Sequence, residues 1–138
     1  MGPGLSRKAR AAFLALILAQ ACHSVEEYRN RLYDVLAPAR YVSGLVSADH
    51  RVGFVIFNTA LVAIGLLCWI GPVRRDAPSA RALAWAWVVL ELANGTVHVL
   101  WALAAGAYRP GLRTAPLLLA VAGYLAVQLR APRRTMET

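Results

Sequence analysis

Residues 11–28 read AAFLALILAQACHSVEEY, an apolar run that closes on His23, Glu26 and Glu27. The run is close to the ~20 residues a helix needs to cross a bilayer core of about 30 Å. A charged side chain at that depth costs at least a few kcal/mol, so ionisable groups there face a protein interior, pair with one another, or hold a metal or a proton. At 100° per residue, Glu26 lies about 300° and Glu27 about 400° from His23, which puts all three on one helical face about 100° wide. The stretch therefore predicts both a membrane helix and a site at its end.

Three more segments of the same character follow. With the first running from about Ala9 to Tyr28, they cover Gly53 to Ile70, Leu83 to Gly106, and Thr114 to Leu129. The expectation is an all-α four-helix transmembrane bundle, with residues 1–138 forming a single integral membrane domain. A mean hydropathy of +0.50 and 59% hydrophobic residues fit that class. The net charge of +8 does not point to nucleic acid, because the arginines gather at the ends of apolar runs and form no basic stripe with interleaved aromatics. Cys22 and Cys68 fall at different depths of separate segments, which argues against a disulfide, and both read as packing residues. Trp69, Trp85, Trp87 and Trp101 read as interface and packing residues.

Gly71-Pro72-Val73-Arg74-Arg75-Asp76 and Tyr108-Arg109-Pro110-Gly111 are turn signals, so segments two, three and four are expected to be antiparallel neighbours. The longer connection, 29–52, is too apolar for a solvated loop. It predicts short interfacial helices on either side of Pro38, with His50 capping or flanking the start of segment two. Nine basic residues (Arg7, Lys8, Arg10, Arg74, Arg75, Arg81, Arg130, Arg133, Arg134) fall on one side of the predicted bundle and six on the other. This bias favours both termini in the cytoplasm, in a bacterial cytoplasmic membrane. A competing reading takes the first segment as a cleaved signal peptide ending at Ala19-Gln20-Ala21; three further spans and the ionisable cluster just beyond favour an uncleaved helix.

A second polar stripe lies inside segment three. Glu91 and His98 are seven residues apart and differ in direction by only about 20°, with Asn94 between them on the same side. Counted at 1.5 Å per residue from parallel starting points, His23 lies about 18 Å along its helix, Glu26 and Glu27 about 22–24 Å, and His98 about 24 Å. The two clusters can therefore meet at one level, where Asn58 of segment two joins them as a hydrogen-bonding neighbour.

His23 and Glu27, four apart, have the spacing that lets two side chains hold one metal, resembling an inverted zincin motif with a carboxylate in last place. With His98 as third ligand, an open fourth position would make a hydrolytic zinc arrangement, with Glu26 as general base. An iron or manganese site is the other option, though two histidines and two or three carboxylates are few for two metals.

Together, His23-x-x-Glu26-Glu27, Asn94-x-x-x-His98 and Tyr108-Arg109-Pro110-Gly111 resemble the three motifs, in order, of the HXXEE-domain family of bacterial integral membrane proteins, over about residues 13–127. Arg109 stands where that family's turn has serine. The resemblance implies a site built from these residues and an enzymatic role, without naming a reaction. Glu26 to Arg31 also resemble the E-E-x-x-x-R pattern of glutamate intramembrane proteases, which have more spans and further histidine motifs.

The functional expectation is a small membrane-embedded, metal-dependent enzyme acting on a lipid-like or isoprenoid-like substrate. Glu26, Glu27 and His98 are its catalytic candidates, and His23, Glu27 and His98 the ligands of a divalent Zn, Fe or Mn ion. Asn94, Glu91, Asn58, Tyr108 and Arg109 are in support. Membrane lipid is the expected surrounding partner, with room for a homo-oligomer and no role for nucleic acid. The alternatives are an ion- or proton-coupled carrier, which four spans could form only by oligomerising, and a non-catalytic scaffold.

Overall fold

The computed structural model describes residues 4–131, so Arg133 and Arg134 of the charge count lie outside the described residues. Among the described residues the chain is all-α: α1 (Arg7–Arg29), α2 (Leu32–Val35), α3 (Ala37–Val46), α4 (His50–Cys68), α5 (Ala80–Ala105) and α6 (Ala115–Arg130), with no strand. The four long helices fall on the four apolar segments. Two of them are long and apolar enough to cross a membrane: α4 with its continuation, His50–Val73, and α5.

Long-range hydrogen bonds show that the long helices alternate in direction. Near the end of α1, Ser24 Oγ donates to Asn58 Oδ1 of α4 at 2.8 Å, while near its start the Arg10 carbonyl accepts from Trp69 Nε1 at 3.3 Å. The start of α6 meets the end of α1 through Thr114 and Glu26, and Arg81 at the start of α5 donates to the Leu129 carbonyl at the end of α6. Side by side, α4 packs on α1, α1 on α6, and α6 on α5. The expectation that segments two and three are packed neighbours is therefore corrected: α5 takes its close backbone neighbours from α6 and from the turn after α4, and a cavity fills the seam between α4 and α5.

Gly71 and Pro72 do not break the helix as expected. Trp69–Val73 forms a π-helical turn that carries α4 onward, with the Arg74 N–H reaching the Trp69 carbonyl at 2.8 Å. The wider turn absorbs a proline that has no N–H to give. In the long connection, the break between the two short helices falls at Leu36 and not at Pro38. Pro38 sits in the first turn of α3, where a missing N–H costs nothing.

The apolar core is made of α1, α5 and α6. Phe13, Leu16, Ile17, Val88, Leu118 and Leu125 are fully buried among small residues such as Ala12, Ala84 and Ala122 that let the helices approach. Phe13 meets Trp87 edge to face at 6.3 Å, and Trp69, Trp85 and Trp101 each lie under an arginine. Leu32, Tyr33 and Phe54 form a smaller cluster where α2 meets α4. Cys68 packs at the core's edge, whereas Cys22 is exposed on α1, and both are free.

Candidate functional site

The site lies where α1 and α5 end and α6 begins. His23 and Glu27 come one turn apart on the buried face of α1, and His98 faces them from α5. His23 Nε2 stands 3.2 Å and His98 Nε2 2.9 Å from the same oxygen, Glu27 Oε1, and the three side chains are at most 6% exposed. The imidazole rings meet edge to face, with centroids 4.8 Å apart. Ligand atoms of all three residues lie within 4.8 Å of one another, close enough to share one cation.

The other nitrogen of each ring decides what these atoms offer. His98 Nδ1 is 2.7 Å from the Pro110 carbonyl, which can only accept, so Nδ1 carries the proton. Thr114 Oγ1 spends its hydroxyl proton on Glu26 Oε2 at 2.6 Å and accepts from His23 Nδ1 at 2.7 Å. In their neutral forms both imidazoles therefore turn an Nε2 lone pair toward Glu27. The Nε2 of His23 is buried and makes no hydrogen bond of good geometry, an orphaned polar atom beside a carboxylate.

Gly111 is what allows His98 this position. Its φ of +90° lies in the region that favours glycine, and a Cβ there would fall 2.4 Å from the His98 ring. The proline-glycine turn thus serves the imidazole twice, with the carbonyl of Pro110 and with the bare α-carbon of Gly111.

Glu26 points away from the three ligand atoms. Its carboxylate accepts from Tyr108 Oη, from the backbone N–H groups of Arg113 and Thr114, and from Thr114 Oγ1, at 2.6–3.1 Å. It is a clamp on the entry to α6, holding the N-cap Thr114 and Arg113 before it, at the helix end that favours negative charge. The phenol of Tyr108 is pushed up to about 12, by burial first and then by its bond to this carboxylate.

Asn58 and Asn94 belong to a chain of hydrogen bonds across three helices. Asn94 Nδ2 donates to Gln20 Oε1 (3.3 Å), Gln20 Nε2 to Ser24 Oγ (3.1 Å), and Ser24 Oγ to Asn58 Oδ1 (2.8 Å). Asn94 therefore holds Gln20 and makes no bond to either histidine. Arg109 lies over Trp101, 5.2 Å from the ring, with its Nε buried and without a hydrogen-bond partner. His50 opens α4 behind Asp49, the residue that caps it, and is not part of the ligand group.

Glu91 is fully buried, and neither of its oxygens makes a hydrogen bond of good geometry, although the Asn94 amide interacts with it. Glu27, Glu91 and His98 all line one cavity of about 520 Å³ between α1, α4, α5 and the α2–α3 connection.

Gln20, Ser24, Thr114 and the Pro110 carbonyl are site residues the sequence reading did not single out. Gln20, Ser24 and Glu27 recur at helical spacing on one face of α1, a signal that was available. Thr114 gave none, since its role depends on where the turn places it.

A family model described as "Protein of unknown function with HXXEE motif" matches residues 14–125, the larger part of the chain and the whole of the site. No curated protein and no solved structure matches this chain.

Proposed function

The chain belongs to the family of proteins of unknown function with an HXXEE motif, and from that premise we propose that it is a small membrane-embedded metalloenzyme acting on a lipid-like or isoprenoid-like substrate. His23, Glu27 and His98 hold one divalent ion, zinc before iron or manganese. The observation that carries this reading is the pair of fixed imidazole tautomers. Each ring donates its Nδ1 proton to a set acceptor and turns its other nitrogen to the same carboxylate oxygen. Histidines that bind metals are oriented this way. Around a tetrahedral ion with bonds of about 2.0–2.1 Å, ligand atoms would stand roughly 3.3 Å apart; the two separations from Glu27 Oε1, 3.2 Å and 2.9 Å, are near this, and all three ligand atoms lie within 4.8 Å of one another.

Held by His23, Glu27 and His98, an ion would keep a position open for water or substrate and would supply Lewis-acid chemistry, polarising a carbonyl or activating water. The protein's own part is to fix the ligands. Thr114 and Pro110 set the rings, and Glu26, through its clamp on Thr114, acts as a positioning residue in place of the general base expected of it. Neutral, largely apolar substrates suit the cavity, whose apolar walls include Leu32, Leu36, Val42, Phe57, Leu61 and Val97 and whose polar lining includes Glu27, His98, Glu91 and Asn94.

The membrane placement is supported by an inverted surface. Leu18 of α1, Ile64 and Leu67 of α4, Val89 and Leu103 of α5, and Val127 of α6 are exposed, while Gln20, His23, Glu27, Glu91 and His98 are buried. We read all four long helices as crossing a bacterial cytoplasmic membrane with both termini inside, following the distribution of basic residues.

The test is metal content by mass spectrometry on detergent-purified protein, wild type against His23→Ala and His98→Ala, with helicity checked in each. Near-stoichiometric metal lost in both variants supports one shared site. Protein that takes up none of zinc, iron or manganese sinks the metal reading and brings forward a proton relay through Glu27 and Glu91.

A further inference from the structure

The cavity holds a second polar end that the metal reading leaves unused. Glu91 is 0% exposed, its oxygens make no hydrogen bond of good geometry, and it lines the same space as Glu27 and His98. An acceptor buried in this way costs about 1–3 kcal/mol unless something satisfies it, and only the Asn94 amide of its own helix interacts with it, without a bond of good geometry. Glu91 and His98 lie seven residues apart on α5, so they share one wall and stand about 10 Å apart along it. Asn94 lies between them on that wall, and with Gln20 and Asn58, which also line the cavity, it is engaged in the hydrogen-bond chain through Ser24. The apolar lining around them includes Leu90, Val97, Phe57 and Leu61.

The charges along the cavity narrow the ligand further. The chain carries 15 lysines and arginines, yet none lines this cavity, whereas two glutamates do. A phosphate or carboxylate group would meet no cation at the Glu91 end. A carboxylate and a carboxylic acid both accept hydrogen bonds, so a hydroxyl, amide N–H or amine satisfies Glu91 in either state.

Resting on the metal reading of the site, we infer that the substrate is an elongated apolar molecule with polar groups at both ends, about 10 Å apart. One end is a Lewis base that reaches His23, Glu27 and His98, and the other is an N–H or O–H donor held by Glu91. Glu91 is thus a specificity residue that reads the far end of the substrate and takes no part in bond making.

The probes are two hydroxamates, whose head groups seek the metal: octanohydroxamic acid and 8-hydroxyoctanohydroxamic acid, titrated calorimetrically into zinc-loaded full-length protein in detergent. The hydroxylated probe binds wild type at least about tenfold more tightly, since a site built to bond a hydroxyl rejects the analogue that lacks it. Glu91→Leu abolishes that preference, weakening the hydroxylated probe and not octanohydroxamic acid, and Glu91→Gln, which keeps an acceptor, retains most of it. If Glu91→Leu does not fold, the wild-type ratio and the Gln variant decide. Equal affinity of wild type for the two probes overturns the inference and leaves the metal site standing. Failure of zinc-loaded protein to bind either probe overturns the metal reading and this inference with it.

Discussion

His98 Nε2 faces Glu27 Oε1 at 2.9 Å from the opposite helix, with its ring already committed at Nδ1 to the Pro110 carbonyl. Two consequences follow. Either a proton or a metal ion must lie between these two atoms, because a lone pair and a carboxylate oxygen repel. And on the proposed metal reading whatever lies there competes with the other, so metal affinity is expected to depend on pH.

Metal binding displaces protons from the imidazoles, so zinc affinity falls as the medium is acidified from neutral, with up to about two protons released per ion. Competition against a chromophoric chelator across that range measures it. An affinity independent of pH would exclude these histidines as ligands.

Thr114→Val removes both the acceptor for His23 Nδ1 and a donor to Glu26 while keeping the side chain's shape. Zinc affinity drops about 10–100-fold, as is usual when an outer partner of a metal-binding histidine is lost, and Thr114→Ser recovers most of it. If Thr114→Val binds zinc as wild type does, the tautomer argument fails.

Gly111→Ala meets two penalties at once, a positive φ and a Cβ 2.4 Å from the His98 ring. A loss of about 2–4 kcal/mol is expected from the strain and the overpacking together. Thermal unfolding in detergent should show a clear fall in Tm, accompanied by weakened zinc binding. Unchanged unfolding and binding would mean that the turn does not support the imidazole as described.

Gln20→Leu leaves Asn94 and Ser24 each short of a partner, at a cost of about 1–3 kcal/mol for buried groups. Metal content stays at the wild-type level, because Gln20 touches none of the three ligand atoms. Loss of metal together with stability would tie the polar chain to the site more closely than its geometry does.

The Tyr108 phenol, raised to about 12 by burial and by the Glu26 carboxylate, should be among the last of the five tyrosines to ionise. A raised phenol pKa adds stability that is complete below the unfolded value of about 10 and is lost as pH climbs through about 12. Ultraviolet titration of wild type against Tyr108→Phe identifies that late step, and Glu26→Gln should move it to lower pH. A late step that survives Tyr108→Phe belongs to another tyrosine.

The all-α architecture was legible because four apolar runs and their breakers repeat at helical length, and the meeting of His23 and Glu27 with His98 was legible because 3.6-residue periodicity and rise fix both direction and depth. What periodicity could not supply was the role of the turn. Spacing put Glu26 on the same face as Glu27, as a general base beside the ligand, yet one residue of rotation carries it to Tyr108 and Thr114, and that outcome depends on where the chain returns after Pro110. Pro72 misled for a related reason: proline stops a regular α-helix, but a π-helical turn accommodates it. The packing of α5 beside α6 and apart from α4 is likewise a matter of assembly, which short links do not dictate.

His23 and His98 are 75 positions apart in the chain (98 − 23), and an ion gripping both would act as a removable crosslink. In the membrane setting proposed for this chain, helices gain little by hiding apolar surface from one another, so such an ion would add to the interhelical hydrogen bonds, Ser24 to Asn58 and Asn94 to Gln20 among them, that lock one register. Closing so long a loop removes freedom from the separated helices at a cost that grows only slowly with its length. A chelator would then do to this protein what a reductant does to a disulfide-bonded one, leaving each helix intact and loosening their arrangement.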